Sequence, residues 1–132
     1  SVKLVFDQNY NLMSLASAAL STSGTVTLEL AIHKVPQVVC YKTSFISFLI
    51  AKKMVKTKYI SLVNILSKKK VVDELIQNDF TLENLIISLE KNLNKDNIEN
   101  TVNDYKNLIC KLNNQPVFDN VARNIVSFLT KT

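Results

Sequence analysis

Apolar and polar positions change period along this chain, and the changes mark its elements. Residues 2–6 are apolar but for Lys3, β-branched and aromatic, the pattern of a strand buried on both faces. Asp7-Gln8-Asn9 turns this run into a short helix around residues 10–15, and Ala18-Ala19-Leu20 then reads as a short buried strand. The spacing predicts a helix over Val26–Ile32, and Pro36 ends it and introduces an extended segment, Gln37–Tyr41. Residues 44–55 form an amphipathic pattern with Phe45, Phe48, Leu49 and Val55 apolar. Residues 59–63 read as a further strand ending at Asn64, and residues 72–77 as a short helix. Thr81, with Glu83 and Asn84, opens a helix running to about residue 92. Residues 96–114 carry Ile98, Val102, Tyr105, Leu108, Ile109 and Leu112 at helical spacing, and Pro116 separates them from a last helix with Val117, Val121, Ile125, Phe128 and Leu129 on one side.

Strands alternating with helices predict an α/β domain: a parallel sheet of about four strands, flanking helices and a helical C-terminus. In such sheets ligands lie beyond the carboxyl ends of the strands. One such end carries Thr22-Ser23-Gly24-Thr25, with the only glycine of the chain. A single retained glycine marks a turn that tolerates no side chain. Ser23 or Thr25 can cap the helix that follows, and the remaining first-turn amides with the helix dipole suit an anion. Glu29 lies one helical turn after Thr25, where a carboxylate can accept from vicinal sugar hydroxyls. These features fit a nucleotide site, and they also fit an ordinary capped helix with an exposed glutamate.

At 132 residues the chain holds one domain, and 47% apolar against 20% charged residues is a globular composition. No run approaches the roughly 20 apolar residues of a membrane span, and the start has no signal-peptide pattern. Cys40 and Cys110 are too few for a disulfide framework, and with the single His33 they offer no metal cluster. His33 follows an apolar helix face and reads as a helix-end residue. No cofactor is expected. The net charge of +5 is local, because residues 42–70 carry eight lysines and no acid. Lys52, Lys53 and Lys56 end the amphipathic helix at 44–55, which suits either packing on the sheet or an anionic membrane surface. Nucleic acid fits poorly, since the lysines lack interleaved aromatic residues and arginine is almost absent.

Four ordered blocks carry a family resemblance. They are Ser23-Gly24-Thr25-x-x-Leu28-Glu29; Lys34-Val35-Pro36-x-Val38-Val39-x-Tyr41; Lys58-Tyr59-Ile60-Ser61-Leu62-x-Asn64-Ile65-Leu66; and Val72-x-Glu74-Leu75-x-Gln77. Over about residues 2–93 this order resembles the C-terminal part of lipid-A-disaccharide synthases, bacterial inverting glycosyltransferases of GT-B architecture. Two departures stand out: the family usually has proline where this chain has Val63, and glycine where it has Lys68.

The resemblance implies a partial Rossmann-like domain, the C-terminal nucleotide-sugar-binding unit of an enzyme whose N-terminal acceptor domain is absent from this chain. Residues 1–93 would be its βα part and residues 94–132 its C-terminal helices. The family transfers 2,3-diacylglucosamine from its UDP donor to 2,3-diacylglucosamine 1-phosphate in lipid A synthesis. Carried over, Ser23, Gly24 and Thr25 would face the diphosphate, Glu29 the ribose, and Asn64, Glu74 and Gln77 would border the same cleft. The general base would belong to the N-terminal domain, so no catalytic residue is expected here and the piece would be inactive alone. The implied partners are a UDP-sugar lipid donor and a phosphorylated glycolipid acceptor. The implied place is the cytoplasm, peripheral on the inner membrane, with Lys52, Lys53 and Lys56 toward the surface. The alternative is a non-catalytic half-Rossmann module that pairs with another chain or itself, through surfaces such as Val121, Ile125 and Phe128.

Overall fold

The computed structural model describes residues 2–44 and 58–113. The helix expected at 44–55 with Lys52, Lys53 and Lys56 falls largely outside these residues, as does the last helix with Val121, Ile125 and Phe128. Elements follow in the order α1 (Asn9–Leu15), β1 (Ala19–Ser21), α2 (Val26–Ile32), β2 (Gln37–Tyr41), α3 (Leu62–Ser67), β3 (Asp73–Ile76), a 3-10 turn (Gln77–Asp79), α4 (Leu82–Leu93) and α5 (Lys95–Asn113).

The three strands form one sheet in the order β1-β2-β3, both pairs parallel. Ser21 aligns with Val39, and Tyr41 with Ile76, so all three carboxyl ends share one edge. Central β2 is the most apolar strand, and Val38 and Val39 are fully buried. Because side chains alternate along a strand, these two valines face opposite sides. Val39 joins Ala31, Val63, Val72, Tyr105 and Leu108 in a core made with α2, α3 and α5. Its register partner Glu74 lies on that side with α3. Val38 aligns with Asp73, which bonds Lys91 of α4, so α4 covers the other face.

Both Thr81 and Ser61 cap helices: Thr81 accepts from the Asn84 amide at 3.2 Å, and Ser61 from the Asn64 amide at 3.3 Å. Helix α2 ends in a Schellman motif, with the Val35 amide on the Leu30 carbonyl and the Lys34 amide on that of Ala31. Lys34 takes the left-handed position at φ 60°, and Leu30 and Val35 are buried together at this end.

The α/β class with a parallel sheet and helical C-terminal part is as the sequence predicts, but three local assignments differ. Residues 2–6 form no strand, and Val2, Leu4 and Phe6 are 94%, 81% and 76% exposed. A parallel strand buried on both faces needs a ladder partner and two covering layers, and this run has neither among the described residues. Residues 59–63 are not a strand, since Ser61 caps α3 from Leu62 onward. The helix expected at 72–77 is instead β3, whose ladder on β2 overrides the helix propensity of Glu74 and Leu75. The described sheet therefore has three strands, against the four expected.

Candidate functional site

The glycine turn follows β1 at the carboxyl edge of the sheet. Gly24 has φ +152°, a conformation side chains rarely adopt. A Cβ there would meet nothing within 4 Å, so backbone conformation, not crowding, calls for the glycine. Helix α2 has no side-chain cap: neither Ser23 nor Thr25 accepts from its first amides. Ser23 Oγ instead donates to the Ile60 carbonyl at 2.8 Å, and Thr27 Oγ1 donates to the Gly24 carbonyl at 2.9 Å. The hydroxyl cap expected of Ser23 or Thr25 is thus corrected: Ser23 Oγ lies on the Ile60 carbonyl, and the Thr27 and Leu28 amides close on the Gly24 and Thr25 carbonyls at 3.3 and 2.9 Å instead.

Glu29 is half-buried and faces an open groove of about 730 Å³ between α1, β1 and α2, lined also by Asn9, Leu12, Ser21 and Thr22. A smaller hollow of about 310 Å³ at the end of α3 against α5 contains none of the sequence-predicted residues.

The other three candidates hold main chain. Asn64 is fully buried; its Nδ2 donates to the Val72 carbonyl at 2.9 Å and to Glu74 Oε1 at 2.8 Å. Its Oδ1 accepts from the Val71 and Val72 amides at 2.7 and 3.0 Å. Glu74 Oε1 accepts from the Ser61 amide at 2.9 Å and the Ser61 hydroxyl at 2.6 Å, while Oε2 accepts from the Ile60 amide at 3.1 Å. Gln77 stands at φ 53° and exchanges two bonds with Thr43: its Oε1 accepts from the amide at 2.8 Å, and its Nε2 donates to the carbonyl at 3.1 Å. This prolongs the β2–β3 pairing by one rung, made with a side chain.

Ser23, Asn64 and Glu74 are therefore gathered around residues 60–61, Gln77 lies at the same sheet edge beside Thr43, and Glu29 faces the groove on the α1 side. The sequence reading missed Ile60, Ser61 and Thr43. Ser61 standing three residues before Asn64 is a helix-cap signal that could have revealed the first pair.

A buried polar cluster behind the turn was also missed. Gln37 is fully buried; Ser21 Oγ donates to its Oε1 at 3.0 Å, and its Nε2 donates to the Thr27 carbonyl at 2.8 Å and to Tyr105 Oη at 3.4 Å. Burial pushes the Tyr105 hydroxyl up to about 12, although the Gln37 bond acts the other way. Burial also pushes the Cys40 thiol up. His33 caps the C-terminal end of α2 and packs against Tyr10 with ring centroids 5.8 Å apart, which is the helix-end position its sequence context predicts. Among the described residues no group of three or more His, Cys, Asp or Glu could hold a metal ion, and no helix is long and apolar enough to cross a membrane.

Comparison with known proteins gives one family. The family model described as lipid-A-disaccharide synthetase matches residues 1–126. A lipid-A-disaccharide synthase of Colwellia psychrerythraea is 40% identical over 95 residues, which is 72% of this chain and 24% of that protein. The synthase of Psychromonas ingrahamii is 43% identical over 94 residues, 70% of this chain and 25% of that protein. That of Hahella chejuensis is 40% identical over 107 residues, 81% of this chain and 27% of that protein. The chain thus spans about a quarter of the length of these curated relatives. With its model matched over nearly all of these 132 residues, the lipid-A-disaccharide synthase family is the one to which this chain belongs.

Proposed function

We propose that this chain is the donor-binding, C-terminal part of a lipid-A-disaccharide synthase. In this reading it holds the UDP moiety while 2,3-diacylglucosamine passes to 2,3-diacylglucosamine 1-phosphate. Ser23, Gly24 and Thr25 face the diphosphate, Glu29 takes the ribose hydroxyls, and Asn64, Glu74 and Gln77 border the cleft. The observation that carries it is the turn itself: a glycine at φ +152°, at the carboxyl edge of a parallel sheet, opening a helix without a side-chain cap. Departure of the sugar leaves charge on the diphosphate, and in this reading the preorganised amides of the turn at residues 24–26, ahead of the Thr27 and Leu28 amides that close on the Gly24 and Thr25 carbonyls, stabilise such charge without rearranging. The acceptor hydroxyl needs a general base, which this reading assigns to the N-terminal domain of the whole enzyme. The piece alone is then a binding unit with no turnover, and its place in the cell is the inner-leaflet surface, approached through Lys52, Lys53 and Lys56.

Titration with UDP, followed by backbone amide NMR with ATP as control, tests the reading. UDP should shift Gly24, Thr25 and Glu29 selectively. Glu29→Ala should weaken binding several-fold with little loss of stability, as a half-exposed carboxylate adds little to the core. Equal affinity in the two proteins removes the ribose assignment, and equal shifts with ATP remove the uridine donor.

A second reading is favoured by the exposure of Leu12 and Leu20, which line the open groove. Apolar surface gathered in this way promotes association with a second copy or another chain. Sedimentation velocity over a hundredfold range of concentration decides it: a constant monomer value excludes self-association.

A further inference from the structure

We infer that Asn64 and Glu74 are positioning residues, which set the glycine turn in place through the main chain of residues 60–61 and touch no ligand themselves. The inference rests on the donor reading of that turn.

The argument is one of hydrogen-bonding capacity. A side-chain amide offers two N–H donors and one oxygen with two lone pairs. Asn64 uses all four, toward the Val72 carbonyl, Glu74 and the Val71 and Val72 amides, at 2.7 to 3.0 Å, and the residue is fully buried. An ionised carboxylate has about four acceptor sites. Glu74 receives four donors: the Ile60 and Ser61 amides, the Ser61 hydroxyl and Asn64 Nδ2, at 2.6 to 3.1 Å. Asn64 has no capacity left for a sugar or a phosphate, while on Glu74 three of the four donors fall on Oε1 and only the Ile60 amide on Oε2, which leaves one Oε2 lone pair that can accept but has nothing to offer a phosphate oxygen. Gln77 differs, since only one of its two N–H donors is engaged, with Thr43 at 3.1 Å.

The chain of bonds leads to the turn. Asn64 joins the start of α3 to residues 71–72 and orients the Glu74 carboxylate. Glu74 then grips the amides of Ile60 and Ser61, which fixes the peptide whose carbonyl accepts Ser23 Oγ at 2.8 Å. Ser23 immediately precedes Gly24. The third and fourth sequence blocks therefore reach the first through backbone, with the buried Asn64 and the part-buried Glu74 as the clamp.

Glu74→Gln replaces one acceptor oxygen by a donor among four donors, which the clamp cannot satisfy, while keeping the side chain's size. The ligand-free amide spectrum of the whole chain should then show Gly24 and Thr25 moving together with Ile60 and Ser61. Their exchange with solvent should quicken about tenfold while the amides of α5 keep their positions and rates. General loosening would instead raise exchange everywhere. Movement confined to Ile60 and Ser61 would overturn the inference. So would a spectrum left unchanged by Glu74→Gln with UDP-induced shifts abolished, because that is the behaviour of a direct ligand.

Should Glu74→Gln fail to fold, Ser61→Ala removes only the 2.6 Å bond and the helix cap and takes its place in the same spectra. Combined with Ser23→Ala in a double-mutant cycle, it should be non-additive in urea unfolding, and additivity would break the link. Failure of the donor reading is separately visible: wild-type chain giving no UDP shifts removes that reading, while the ligand-free spectra still decide the clamp.

Discussion

Lys68 closes α3 in the left-handed conformation, φ 54° and ψ 22°, where a β-carbon is crowded by its own backbone. The chain thus ends this helix in a turn that suits glycine while retaining a side chain in it. Lys34 does the same at the end of α2, at φ 60°. Lys68→Gly should therefore raise stability by up to about 1 kcal/mol, the strain relieved less the added chain entropy of glycine. Urea unfolding of the two proteins measures this, and an unchanged midpoint would mean the strain is negligible. The converse holds at Gly24. Its Cβ would have space, but φ +152° is a glycine conformation, so Gly24→Ala should cost about 1–3 kcal/mol with no clash to relieve. The glycine's importance was legible in the sequence, while its reason was not, since a sequence does not distinguish a crowded turn from an unusual dihedral. The second departure, Val63, lies in the first turn of α3, where a backbone amide has no intrahelical acceptor. A proline would be tolerated in such a turn, and the fully buried valine sits there equally well.

Among elements, α2, β2, α4 and α5 were legible because each has a strong period and a clear stop or start, such as Pro36 or Thr81. The third and fourth blocks were read in reverse, with a strand at 59–63 and a helix at 72–77. Tyr59, Ile60 and Val63 favour extended structure locally, and Glu74 and Leu75 favour helix. Tertiary pairing decides otherwise: Asp73–Ile76 completes the ladder on β2, and the Glu74 carboxylate that results is what holds Ser61 as a helix cap. Neither event is local, so no window of residues contains it. The same applies to Gln37, which reads as the polar start of a strand and in fact joins β1, α2 and α5 at one buried amide. Gln37→Leu should cost about 2–4 kcal/mol, because it leaves Ser21 Oγ, the Thr27 carbonyl and Tyr105 Oη short of partners in a dry core. Thermal unfolding measures the loss, and a value under about 0.5 kcal/mol would show that water enters the site.

For the molecule as a whole, the titrating groups that link its layers set the pH range of stability. On the acid side, burial pushes the Asp73 carboxyl up, but the Lys70 and Lys91 ammoniums at 2.7 and 3.1 Å outweigh this and hold it below its ordinary value. A carboxylate lowered in the folded state gives stability that is present at neutral pH and lost as pH falls below its ordinary range. Tyr105 works on the alkaline side. Its buried hydroxyl, which accepts from Gln37 of β2, ionises near 10.0 when exposed and at about 12 when folded. Between these values the unfolded chain gives up a proton that the folded one keeps, so rising pH favours unfolding. A difference of two pH units corresponds to on the order of 2–3 kcal/mol, present in full below pH 10 and lost by pH 12. Tyr105→Phe isolates the effect of the hydroxyl, since it keeps the ring and removes only the ionising group. The unfolding free energy of wild-type chain should fall more steeply than that of Tyr105→Phe between pH 10 and 12, by about that amount. Parallel curves would mean that the Tyr105 hydroxyl ionises equally readily in the folded and unfolded chain and contributes nothing to the alkaline limit.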